Sequence, residues 1–281
     1  MRANLVALIL AAAPLGAEPV RIDISDAHVV GVSGIEVTRH GAGFVAVSDA
    51  GWFLEGTLVR EAGVLSGGQV TAVRPIIGQN GFPVRARQVG DWSDAEGLAL
   101  VQDGTIYVSF ERWARVARHK STTAPGEWIK DHADFVGFDD NRQLEAVAVD
   151  QNGQVYVMPE VAAGSAGFPM YRLDPGGWVI AGHIPASDGF SLVGADFGPD
   201  GMLYILERKL VFATWWQSRL QRYDPAARAL QVVWAPGADE FGNLEGLSVW
   251  QSPEGLRATM VSDNNGTPGV PTEIVELPLT E

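Results

Sequence analysis

Acidic side chains recur in pairs along this chain, 15 to 18 residues apart: Glu96 with Glu111, Glu145 with Glu160, and Glu245 with Asp263. Single acids, Asp49 and Glu207, end two further stretches of the same kind. Carboxylates gathered in one place repel one another, so they retain protons or recruit a cation. An all-oxygen donor set favours Ca²⁺, or another hard divalent cation, over zinc. Such an ion polarises an ester or phosphoester and activates water, and a neighbouring carboxylate serves as base. Arg112 and Arg208 directly follow Glu111 and Glu207. Each guanidinium either neutralises its neighbour or grips an anionic group, such as phosphate, as a two-pronged fork. The catalytic candidates are therefore Glu96, Glu111, Arg112 and Arg208. The candidate metal ligands are Glu96, Glu145, Glu160, Glu245, Asp263, Asp49 and Glu207. The competing reading is structural: an acid at a strand end accepts backbone N–H groups of the next element, and the arginines only balance charge.

What must position these acids is a repeated unit. Asp94-Ala-Glu-Gly-Leu-Ala-Leu leads through Asp103-Gly104 to Thr-Ile-Tyr-Val-Ser-Phe-Glu111. Each copy is an apolar run, a turn, a second β-rich run and an acid. The glycine of the first run, or its substitute, falls at Gly34, Gly97, Ala146, Gly194 and Gly246, at intervals of 63, 49, 48 and 52 residues. A four-stranded propeller blade needs roughly 40–50 residues. The expected fold is all-β, a five-bladed β-propeller. A sixth, degenerate blade within 51–92 is the alternative. The last repeat lacks one strand and Val20–Ser25 is one strand spare, so pairing of the N- and C-terminal strands should close the ring. In each hairpin the start of the first strand and the end of the second lie at one end, roughly 4.8 Å apart. The innermost hairpins would thus bring all eight acids to one mouth, with Asp94, Gln143 and Asn243 as further oxygen donors.

The bulk numbers agree. A hydrophobic content of 46% supports a full core, and a formal charge of −14 opposes binding to nucleic acid or anionic membrane. Met1–Ala17 reads as a secretory signal peptide: one arginine, a short apolar run, then small residues. The run is too short for an anchor, so residues 18–281 form the expected single domain, periplasmic or secreted. With no cysteine there is no disulfide and no thiol nucleophile. No G-x-S-x-G, H-E-x-x-H, P-loop or EF-hand loop is present. Asp139-Asp-Asn-Arg reads as a solvated turn, and the five histidines lack ligand spacing.

Several stretches, in order, resemble the phytase-like family, also described as the "esterase-like activity of phytase" family. They are Gly43-Phe-Val-Ala-Val-Ser-Asp49, Asp94-Ala-Glu-Gly-Leu-Ala, Asn141-Arg-Gln-Leu-Glu-Ala-Val-Ala-Val, Leu203-Tyr-Ile-Leu-Glu207-Arg208, Asn243-Leu-Glu-Gly-Leu-Ser and Val261-Ser-Asp-Asn-Asn265. The resemblance implies an exported β-propeller and a hydrolase acting on a small ester or phosphoester. A non-catalytic propeller that binds a ligand or a protein is the alternative, and a lactonase-like use of a calcium site is a third.

Overall fold

The computed structural model describes residues 20–23, 30–84, 93–138, 143–267 and 269–279. The expected signal peptide, the 139–142 turn and residues 85–92 lie outside the described residues. Strand β1 (Val20–Asp23) precedes four blades that each use consecutive strands. Blade 1 is β2 (Val32–Thr38), β3 (Gly43–Ser48), β4 (Trp52–Glu61) and β5 (Val64–Pro75). Blade 2 is β6 (Ala95–Leu100), β7 (Ile106–Phe110), β8 (Arg115–His119) and β9 (Glu127–Ile129). Blade 3 is β10 (Leu144–Val149), β11 (Val155–Pro159), β12 (Phe168–Asp174) and β13 (Gly177–Ile184). Blade 4 is β14 (Ser191–Phe197), β15 (Leu203–Val211), β16 (Trp215–Asp224) and β17 (Ala229–Trp234). Blade 5 is β18 (Asn243–Ser252), β19 (Gly255–Asp263) and β20 (Glu273–Pro278), with β1 as its fourth strand.

The fold is thus the five-bladed propeller expected from the repeats. The six-blade alternative fails because β4 and β5, within 51–92, are the outer strands of blade 1. Closure also follows expectation: Val20 pairs antiparallel with Ile274, and Arg21 with Glu273. One feature was not anticipated. The same strand runs parallel to β5, Ile22 against Gly68, and joins the outer edges of the first and last blades. Among the described residues, no helix is long and apolar enough to cross a membrane.

Local chemistry explains the hairpins. The tight turns at Gly104, Gly153 and Gly201 have φ of 89°, 78° and 77°, which glycine adopts without steric cost. Asp103 and Asp150 accept backbone N–H bonds of 2.9 Å across the first two turns. Five apolar clusters hold the blades together, and each straddles one blade–blade interface. The cluster between blades 1 and 2, for example, buries Phe53, Ile76 and Phe110 completely or nearly so. Burying each such side chain contributes about 1.5–3 kcal/mol.

The innermost strands β2, β6, β10, β14 and β18 touch one another in that order and close on the axis. The repeated glycine is what allows it. A Cβ at Gly97 would lie 2.6 Å from the carbonyl oxygen of Glu145, and one at Gly194 would lie 2.4 Å from that of Glu245. This collar leaves a central cavity of about 10 Å³, barely room for a water molecule. The channel is therefore two separate mouths rather than a pore.

Candidate functional site

Every inner strand carries a β-bulge at the same repeat position. Pairing slips between Leu144 and Ala146, between Leu192 and Gly194, between Leu244 and Gly246, between Val32 and Gly34, and between Ala95 and Leu98. The residues inside the slips include Glu145, Val193, Glu245, Ser33 and Glu96. A bulge turns a side chain out of the regular pleat, and such features cluster beside functional sites. The repeat glutamates are thus aimed by a backbone device, one residue before the glycine collar.

The second strand of each hairpin supplies the other group. Glu111 donates its N–H to Asp94 O at 2.9 Å, Glu160 to Gln143 O at 3.0 Å, and Asp49 to Gly31 O at 2.8 Å. Asn243 pairs with Asp263. One oxygen from each of Asp94, Glu96 and Glu111 lies within 4.8 Å of the others, and the same holds for Glu111, Glu145 and Glu160. Glu111 belongs to both groups. Gln143 is spoken for, accepting the Ala114 N–H from blade 2.

Blade 4 departs from the expected arrangement. Leu192 pairs with Glu207, so the position equivalent to Glu111 and Glu160 is Arg208, which faces Ser191. Glu207 is one residue out of step and therefore points to the other side of the strand. It is fully buried inside the blade, where Arg219 Nε donates to it at 2.8 Å and Gln221 donates as well. Glu207 is accordingly removed from the candidate metal ligands. Asp94 takes its place in the acidic group, beyond the auxiliary role expected of it.

Arg208 instead supplies positive charge to the ring. It donates to Asn243 Oδ1 at 2.6 Å and to Glu245, and lies 4.0 Å from Glu160. Asn243 also donates to Glu245 at 2.8 Å. Trp216 packs under the guanidinium at 4.9 Å, while its neighbour Trp215 stacks edge-on against exposed Phe212. Arg112 pairs with Asp94 at 2.8 Å on the rim.

Eight carboxylates thus face two arginines: Asp49, Asp94, Glu96, Glu111, Glu145, Glu160, Glu245 and Asp263. Loss of hydration raises the pKa of Glu96, and the charges of Glu145, Glu245, Glu111 and Asp94 all push it the same way. Burial followed by the Glu160 charge does the same to Glu145. Glu111 is raised to about 7 by burial and then by Asp94 and Glu160, against the pull of Arg112 and Arg208. Asp49 and Asp263 are also raised to about 7, chiefly by burial. Asp49 Oδ1 is buried with no hydrogen-bond partner among the described residues. An orphaned buried oxygen within a ring of crowded carboxyls fits an all-oxygen cation site.

A second carboxyl pair, not foreseen, lies beyond the collar at the opposite mouth. Glu36 accepts from Ser248 Oγ at 3.0 Å and from Leu100 N–H at 3.3 Å, and Asp196 accepts from Val249 N–H at 2.6 Å. Both are buried, on the wall of a depression of about 600 Å³. Each sits two residues after a collar glycine, where the other repeats have Ala99, Ala148 and Ser248. That shared position was the signal in the sequence. Burial and then the Asp196 charge raise the pKa of Glu36, and burial raises Asp196 to about 7. Above the carboxylate range the unfolded chain has lost these protons while the folded chain keeps them, so stability falls as pH rises towards 7 and beyond. Glu36→Gln is expected to flatten this fall. Urea midpoints measured at about pH 5 and about pH 8 check it; an unchanged difference between the two would show that the pair has no such effect.

His119 and His132 stand elsewhere. His119 is buried in blade 2, with Nδ1 3.0 Å from Ala124 O and its ring against Phe53, and His132 caps a short 3₁₀ segment.

Comparison with solved structures gives the fold. A gluconolactonase from Xanthomonas campestris is similar over 97% of this chain and 99% of its own, with 13% identity and a TM-score of 0.51. A virginiamycin B lyase from Staphylococcus aureus matches over 94% of this chain and 88% of its own, with 11% identity and a TM-score of 0.48. U3-55K matches over 96% of this chain and 100% of its own, with 9% identity and a TM-score of 0.47. A search of curated proteins returned no match. Residues 27–266 match the phytase-like family, described as "esterase-like activity of phytase", and the chain belongs to that family.

Proposed function

We propose that the acidic mouth holds a divalent cation, Ca²⁺ by preference, and hydrolyses a small ester or phosphoester. The observation that carries this is the pair of three-carboxylate groups sharing Glu111, with oxygens within 4.8 Å. Glu96, Glu145 and Glu160 are the ligands of first choice, and Asp49, Glu245 and Asp263 complete the anionic ring. A bound cation supplies polarisation of the ester oxygen and a lowered pKa for water. Glu111, made more basic than an ordinary carboxylate by burial and by the Asp94 and Glu160 charges, is suited to take a proton from attacking water. Arg208 stays positively charged, pinned by Glu245 and Asn243, and offers a fixed charge to an anionic transition state. Arg112, on the rim and 43% exposed, is placed to meet the phosphate of a phosphoester. The signal peptide reading adds that this chemistry takes place outside the cytoplasm, in a mature chain that starts at Glu18.

The test is removal and return of the ion. A ligand at 100 times its dissociation constant stabilises the folded state by about 2.7 kcal/mol. For a domain of this size that is about 5–11 °C in Tm. EDTA treatment should lower Tm by this amount and abolish turnover of p-nitrophenyl acetate or p-nitrophenyl phosphate, and Ca²⁺ should restore both. A protein whose Tm and turnover ignore EDTA is not a metal hydrolase, and the binding-module reading then stands.

A further inference from the structure

Beside the acidic mouth, blade 2 carries a groove of the opposite character. The turn after β7 leaves the mouth at Glu111 and lifts Trp113 into solvent, where it is 59% exposed with φ of +52°. A bulky residue in the left-handed region is strained, and such strain gathers at ligand-binding positions. Trp113 stands between two cavities of about 550 and 460 Å³, and together with Arg115 and Asp131 it lines both. Each is of a size to take a small organic ligand. The inner cavity reaches Gln143, at the mouth, and the outer one reaches Trp128 and Lys130.

The charge of this groove is anomalous for the molecule. In a chain of net charge −14, two cations, Arg115 and Lys130, face one acid, Asp131. Arg115 is fixed in place. Its guanidinium lies 4.2 Å from the Phe110 ring and 4.8 Å from the Trp128 ring, and it donates to the carbonyl of Trp113 at 3.2 Å. Lys130 is exposed. A flat apolar surface beside two cations is complementary to a flat ring bearing a negative charge.

We propose that this groove is a specificity subsite that binds an aromatic carboxylate: the ring stacks on Trp113 and the anionic group faces Arg115 and Lys130. The substrate of the mouth is then an ester whose distal part is aromatic and anionic, and its scissile bond reaches Glu111, two residues from Trp113. This assignment rests on the ester reading only for where the bond is cut.

The experiment is calorimetric titration of the full chain with 2-naphthoate in EDTA, which needs neither metal nor turnover. Saturable binding is expected, weaker by about tenfold or more in Trp113→Ala, corresponding to the loss of one stacked ring. Trp113→Gly accommodates the positive φ and so folds without the strain, and it should lose binding equally. Lys130→Ala should weaken 2-naphthoate while leaving neutral 2-naphthalenemethanol unchanged. Undetectable binding to the wild type, equal affinity in wild type and both Trp113 variants, or equal affinity for the acid and the alcohol would overturn the proposal. Naphthoate binding that survives alongside a complete lack of esterase activity would sink the reading of the mouth and leave the groove standing.

Discussion

Arg208→Ala is expected to destabilise the cation-free protein by about 3–5 kcal/mol, the usual cost of removing one partner from a buried ion pair. For a domain of this size that corresponds to about 6–20 °C in Tm. Arg208 is only 15% exposed, and it binds Glu245 and Asn243 while lying 4.0 Å from Glu160. It is the only arginine at the second-strand position of the ring, where the other blades carry Glu111, Glu160, Asp263 and Asp49. Removing it leaves Glu245 desolvated beside Asp263 and Asp49, bonded to the neutral Asn243 amide but without its cationic partner. Arg208→Lys should recover part of the loss, because a single ammonium restores the charge but cannot span Asn243 and Glu245 as the planar fork does. Added Ca²⁺ should rescue the alanine variant by more than it stabilises the wild type, since a cation then replaces the missing charge as well as filling its own site. Urea unfolding in EDTA and in Ca²⁺ measures both. If the alanine variant is as stable as the wild type in EDTA, the ring does not depend on Arg208 for its charge balance.

The placement of Arg208 also shows what sequence could and could not convey. Blade count and ring closure were legible because they depend on local chemistry: Asp-Gly turns, period-two alternation and a fourth strand missing from the last repeat. The acidic mouth followed from hairpin geometry alone, and of the eight repeat acids expected to meet there all but Glu207 do. Glu207 failed because adjacent residues on a strand face opposite sides, and conservative matching of acid to acid chose the wrong neighbour. Spacing was the better guide. Glu96 to Glu111 and Glu145 to Glu160 are 15 residues apart, and 15 residues from Val193 is Arg208. The bulges that aim Glu96, Glu145 and Glu245 left no trace in composition, because an extra residue in one strand is visible only against its partner. Nor could the exposure of Trp113 be read: an aromatic after a strand is as consistent with packing between blades as with a wall between two cavities. The parallel join of β1 to β5 is a contact between the first and last blades, which no repeat pattern encodes.

Glu111→Gln is the substitution expected to affect turnover most. General-base catalysis contributes about 10²–10⁴-fold, and the amide can neither take up a proton nor carry the charge that favours a cation. Glu111 is the one carboxylate shared by both close oxygen groups, and burial with the Asp94 and Glu160 charges raises its pKa, to about 7 without a cation, so it is more basic than an ordinary carboxylate. The expected result is a fall in kcat of that size with KM for the ester little changed. A structural role for Glu111 would produce a different pattern. The substitution removes a charge that Asp94 and Glu160 repel, so the cation-free variant should match the wild type below about pH 4.5 and gain on it as pH rises from there to about 7, the gain being complete above that. Lost activity together with retained or increased stability therefore points to chemistry. The pH profile gives a second check: wild-type kcat/KM should rise with pH as Glu111 loses its proton, at a pH below the cation-free value of about 7 because a bound cation favours the carboxylate, and the residual activity of the variant should lack that limb. A variant that keeps the limb, or that loses stability in step with activity, would move the base to another of the mouth carboxylates.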